Sequence, residues 1–120
     1  MPDLTSQLGD PDPSVVRVAC ETIGETGVGA VGILRLIRVA GSHEDALCRE
    51  SAVAALGAVG DRAGLDAVLA ACTDVAAVRR RAVLMLAAWD DPRCDDMLRQ
   101  LSSDRDRQVR QAAIDLLAID

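Results

Sequence analysis

Apolar residues recur at helical spacing along nearly the whole chain. Around residues 16–24, 49–60, 79–87 and 110–118, small and branched side chains return every third or fourth place. That period keeps them on one face of a helix. Between these stretches lie three more predicted helices: Val28–Ala40, Arg62–Cys72 and Pro92–Leu101. Each carries a single apolar stripe, read as Leu34 and Ile37 in the first, Leu65, Val68, Leu69 and Cys72 in the second, and Met97, Leu98 and Leu101 in the third. A short stub, Asp3–Leu8, precedes them all. No segment alternates with the period of two that a strand needs.

Start and stop signals agree with this division. Asp12-Pro13 and Asp91-Pro92 read as an N-cap followed by proline at the first helical position. Ser42 with Asp45, and Ser103 with Asp106, have capping-box spacing with Asp in place of Glu. Gly24, Gly41 and Gly60 are placed as helix terminators.

The first set of helices also repeats as sequence. After Arg49 come Ala52, Ala55, Leu56, Gly57, Gly60 and Asp61. The same offsets from Arg79 give Ala82, Met85, Leu86, Ala87, Asp90 and Asp91, and those from Arg110 give Ala113, Leu116, Leu117 and Ala118. A divergent copy begins at Val16 and continues through Ala19, Thr22, Ile23, Gly24 and Gly27. The anchors Val16, Arg49, Arg79 and Arg110 stand 33, 30 and 31 residues apart. A period near thirty is the mark of stacked helical units, each too small to bury its apolar face alone. Alanine or glycine at the contact positions lets neighbouring helices approach, and the branched residue seven places after each anchor fills the gap between layers. One domain over residues 1–120 is expected.

Composition narrows the function. The chain has 120 residues, 50% hydrophobic and 27% charged, with one Trp and no Phe or Tyr. Such a core must come from Ala, Val, Leu and Ile, which suits close-packed helices. All thirteen cationic side chains are Arg, and Lys and Asn are also missing, a codon-bias pattern that gives Arg no special meaning by itself. A net charge of −6 repels phosphate backbones and anionic lipid, so neither nucleic acid nor a membrane is an expected partner. No apolar run is long enough to span a bilayer and no secretory signal is visible, so the cytoplasm is the expected compartment. There Cys20, Cys48, Cys72 and Cys94, which lack C-x-x-C spacing, are expected as reduced, buried hydrophobes.

The strings Val78-Arg79-x-x-Ala82 and Cys48-Arg49-Glu50-Ser51-Ala52, with Ala55-Leu56-Gly57-Ala58-Val59-Gly60-Asp61, resemble the HEAT repeat. More closely they resemble the short subtype named after phycobilin lyases, over essentially all of residues 3–118. The resemblance implies an all-α fold, an α-solenoid of four anchored and three intervening helices, with the intervening helices lining a concave face. It also implies that Asp12 with Arg17, Asp74 with Arg79, and Asp104 with Arg110 belong to a ladder linking adjacent repeats.

Catalytic members of that class set a test for chemistry. Deoxyhypusine hydroxylase binds two irons through paired His-Glu motifs, whereas this chain has one histidine, His43, read as an exposed first-turn residue. A bilin pocket is roomy and partly aromatic, but Trp89 reads as core packing. The glycines Gly24, Gly27, Gly29 and Gly32 lack a P-loop lysine. Arg79-Arg80-Arg81 point in three directions about a helix and form no basic stripe. No catalytic residue, cofactor or metal is therefore expected. The leading expectation is a scaffold that binds a protein or peptide through Arg35, Arg38, Asp66, Asp95, Asp96, Arg99 and Gln100. The alternatives are a lyase or metal-dependent modifying enzyme, and a homo-oligomer assembled through the solenoid ends.

Overall fold

The computed structural model describes residues 3–119. Eight α-helices follow one another, and no strand occurs among those residues: α1 Leu4–Gln7, α2 Pro13–Thr26, α3 Ala30–Ser42, α4 Ala46–Val59, α5 Leu65–Ala71, α6 Ala76–Met85, α7 Pro92–Leu101 and α8 Arg107–Leu117. Single 3-10 turns, Arg62–Gly64 and Leu86–Ala88, lead into α5 and extend α6. Aspartate starts most helices. The carboxylates of Asp3, Asp12, Asp45, Asp91 and Asp106 each accept a backbone N–H from the first turn that follows, satisfying donors the helix itself leaves open. Two helices end on glycine at positive φ, α2 at Gly27 and α4 at Gly60, with φ of 79° and 72°, a region that side chains rarely adopt, and Gly60 is the left-handed cap.

The even-numbered helices α2, α4, α6 and α8 form one row, and α1, α3, α5 and α7 lie beside it, giving a body of 45 × 25 × 19 Å. Each even helix packs against the next along the long axis. The repeated small residues make this possible: Ala19, Ala52, Ala82 and Ala113 occupy the same place in successive layers and are all buried. Ile23, Leu56 and Leu86, four residues further on, fill the space between layers. Gly57 shows how close the approach is. A Cβ there would collide with the Cβ and Cγ of Met85 at 2.8 Å.

Several local expectations need correction. Gly24 ends nothing: it lies inside α2 against Ala55 and Ala58. Gly41 likewise lies within α3. Ser42 and Ser103 are not the capping residues, because Asp45 and Asp106 take that role and the Ser42 hydroxyl donates back to Arg38 O. The buried stripe of α3 is Ile33, Leu36, Val39 and Ala40. Leu34 is instead 64% exposed. That helix has apolar residues on two faces, and packing against α4 selects the other one.

Candidate functional site

The layers are joined by arginine–aspartate pairs whose register differs from the expected one. Arg49 closes on Asp74 through Nε and Nη2 at 2.9 and 3.0 Å. Arg79 closes on Asp104 in the same fork at 3.1 and 2.9 Å. Each arginine thus reaches forward to the aspartate of the next layer. It meets the preceding residue only at the backbone: Arg49 Nη1 donates to His43 O, Arg79 Nη1 to Asp74 O and Arg110 Nη1 to Asp104 O, at 2.8, 2.8 and 2.7 Å. Asp12 belongs to no such rung and caps α2 through Ser14. The Arg49 and Arg79 guanidinia hold the Asp74 and Asp104 carboxyls below the usual aspartate range.

His43 fits the same scheme. Its Nδ1 accepts the Asp45 N–H at 3.0 Å, as Asp104 Oδ1 accepts that of Asp106 at 2.8 Å. The residue is half-buried in the loop before α4, not an exposed first-turn residue as the sequence suggested. It stands where the other loops have the ladder aspartate. The first layer also has Val16, fully buried, where later layers have the arginine. Donor and acceptor are therefore replaced together.

The three consecutive arginines are spent in three directions. Arg79 pairs with Asp104, Arg80 with Asp106 and Arg81 with Glu50. On the opposite side Arg62 and Arg93 hold Asp91, and Arg93 also reaches Asp66. The Arg93 backbone N–H and guanidinium, helped by Arg62, bring the Asp91 carboxyl down to about 2; Arg80 lowers Asp106. Against the unfolded value of 3.8, each depressed carboxylate contributes stability that is complete above that value and lost as pH falls toward the folded one. The melting temperature should be flat above about pH 5 and drop between about pH 4 and 2. Asp91→Asn keeps the cap and should flatten part of that drop. A wild-type melting temperature that stays constant down to pH 2 contradicts the assignment.

A depression of about 710 Å³ opens between α3 and α5. Its walls are Ile37, Ala40 and Gly41 from α3 and Ala67, Ala70 and Ala71 from α5; Arg49 and Asp74 close one end. Of the seven residues expected at a binding face, Asp66 borders it, and its carboxylate accepts from Arg93 Nη1 at 2.8 Å. Arg35 and Arg38 are exposed on α3, and Arg35 Nη1 donates to Thr5 O at 3.3 Å. Asp95, Asp96, Arg99 and Gln100 are exposed on α7, where Arg99 and Asp96 pair at 2.7 Å. The seven therefore form separate groups on α3, α5 and α7 rather than a single cluster. Sequence reasoning missed Val31, 61% exposed one turn before Leu34. Val31, Leu34, Arg35 and Arg38 fall at i, i+3, i+4 and i+7, so they share one outward stripe.

Among the described residues no group of three or more His, Cys, Asp or Glu side chains is placed to hold a metal ion. Nor is any helix there long and apolar enough to cross a membrane. All four cysteines are free and buried. Burial pushes the Cys20 and Cys72 thiols up to about 12, far from the thiolate a nucleophile needs. Trp89 lies in the core, its indole N–H without an acceptor.

No curated protein matches the chain. A family profile described as HEAT repeats matches residues 1–78. The matched span runs from the N-terminal stub into α6, and the same layer geometry continues beyond it through α8. With its two-helix layers, its nested alanines and a profile match over more than half its length, the chain belongs to the HEAT-repeat family.

Proposed function

We propose that the chain is a non-catalytic interaction module that takes a polar or charged protein segment on the face formed by α3, α5 and α7. HEAT repeats commonly serve as interaction scaffolds and are generally non-enzymatic. The observation that carries the reading is the outward stripe of α3. Val31 and Leu34 are large apolar side chains left in solvent, one turn apart, with Arg35 and Arg38 beside them. Burying what remains exposed of two such side chains is worth roughly 2–4 kcal/mol before ordering costs. The depression between α3 and α5 lies around α3 from this stripe, on the side of Ile37, Ala40 and Gly41, and α7 carries Asp95, Asp96, Arg99 and Gln100 as a further exposed group. A segment with an acidic and apolar portion against α3 and a mixed polar portion against α7 complements this order of charges. The period of 30–33 residues fits the short subtype of the family, and reduced thiols suit the cytoplasm.

The test is affinity capture from the native host with wild-type protein and with a variant carrying Arg35→Glu, Arg38→Glu and Arg99→Glu. All three side chains are exposed, so the helical circular dichroism and melting temperature should be retained. Partners bound by the wild type should be depleted at least about tenfold on the variant, a loss of ~1.4 kcal/mol or more. Recovery of the same partners in the same amounts would place the binding face elsewhere.

A further inference from the structure

The arginine–aspartate ladder has an unfilled step at each end of the described body. Arg110 repeats the pose of Arg49 and Arg79, with Nη1 on the carbonyl of the loop before its helix. In the two earlier layers Nε and Nη2 then grip the next aspartate. Among the described residues no carboxylate occupies that place on Arg110. At the opposite end, Asp10 repeats the pose of Asp104: its Oδ1 accepts the amide two residues on, from Asp12, at 2.8 Å, as Asp104 does from Asp106 at 2.8 Å. No arginine among the described residues sits on Asp10.

The apolar positions tell the same story. Ile114 is equivalent to Cys20, Val53 and Val83, which are fully buried, yet it is 45% exposed. Val15 is only half-buried, whereas its equivalents Cys48, Val78 and Val109 are fully covered by a preceding layer. Near it on α2, Val18 is 61% exposed. Among the described residues the first helix, α1, belongs to the odd row and the last, α8, to the even row.

We propose that these two ends dock on one another in trans, so that α8 of one copy takes the α1–α2 end of a second. Ile114 covers Val15 and Val18 of the second copy, and Arg110 closes on its Asp10. A second copy is the occupant because its parts match in register and in charge: an aspartate in the loop pose that the ladder arginine takes, and valines left uncovered where the preceding layer would lie. The contact is heterologous, so it propagates end to end rather than stopping at two. It adjoins the α3 stripe only through Arg35, whose Nη1 donates to Thr5 O of α1, and does not depend on the peptide-binding reading.

The test is analytical ultracentrifugation of the 120-residue chain over a concentration series. Wild type should show a mass that climbs past two copies without a plateau. Arg110→Asp and Asp10→Arg should each weaken association at least about tenfold by setting like charges against each other. An equimolar mixture of the two should associate again, since every junction then regains one arginine and one aspartate. Ile114→Glu changes an exposed side chain outside the ladder, and should abolish association with no change in melting temperature. A wild type that stays monomeric at every concentration overturns the proposal. So does a dimer that saturates at two copies and ignores these substitutions. Mixed variants that remain monomeric while each is fully folded overturn the Arg110–Asp10 junction.

Discussion

Arg79→Ala is expected to cost about 3–5 kcal/mol of folding stability, read from urea unfolding. The Arg79 residue is 7% exposed, and its guanidinium does two jobs. It neutralises Asp104, itself nearly buried, and it satisfies the Asp74 carbonyl in the loop before α6. Removing it leaves an unpaired carboxylate and an unpaired carbonyl between two layers, and the loss of those partners costs more than the pair contributed. Adding Asp104→Asn to Arg79→Ala should therefore restore about 1 kcal/mol or more. Arg49→Ala should be milder, because both it and Asp74 are more exposed than the second rung. If Arg79→Ala proves no worse than Arg80→Ala, whose side chain is nearly half exposed, the ladder does not hold the layers together.

The second large effect is expected at Leu56. It lies between layers and also supports the turn before α5, where a side chain on Gly64 would come within 3.1 Å of its Cδ2. Leu56→Ala should cost roughly 2–5 kcal/mol, the removed methyl groups plus the cavity they leave. Each layer of a solenoid is held mainly by its neighbours, so a lesion in the second layer should loosen the body unevenly. Hydrogen exchange in Leu56→Ala should accelerate first in α4, α5 and the adjoining faces of α3 and α6. Uniform acceleration in every helix would indicate a single cooperative core instead.

How much of this was legible in the residues depended on the range of the interaction. The layer period could be read because small side chains at contact positions are a requirement of packing, and Ala52, Ala82 and Ala113 show it directly. The ladder partner was misassigned because an aspartate five or six residues before an arginine looks local, whereas the carboxylate it grips lies 25 residues ahead, at a distance set by the rise between layers. Leu34 was misplaced for a related reason. Helix α3 is apolar on two faces, and periodicity alone cannot say which one meets α4. The exposed charges on α3 and α7 were visible as candidates, but the depression between α3 and α5 was not. Its walls are mostly alanine and glycine, residues that mark a surface by their lack of volume and carry no chemical signature.

The nesting of successive layers on their repeated alanines is tested most directly by leucine substitution at two sites on one helix, with stability measured by denaturant unfolding. Ala82 is buried against the neighbouring layer and Ala77 faces solvent on the same α6. Ala82→Leu should lose about 1–3 kcal/mol or more through overpacking, while Ala77→Leu should change stability by less than about 0.5 kcal/mol. Equal, small effects at the two positions would contradict the account.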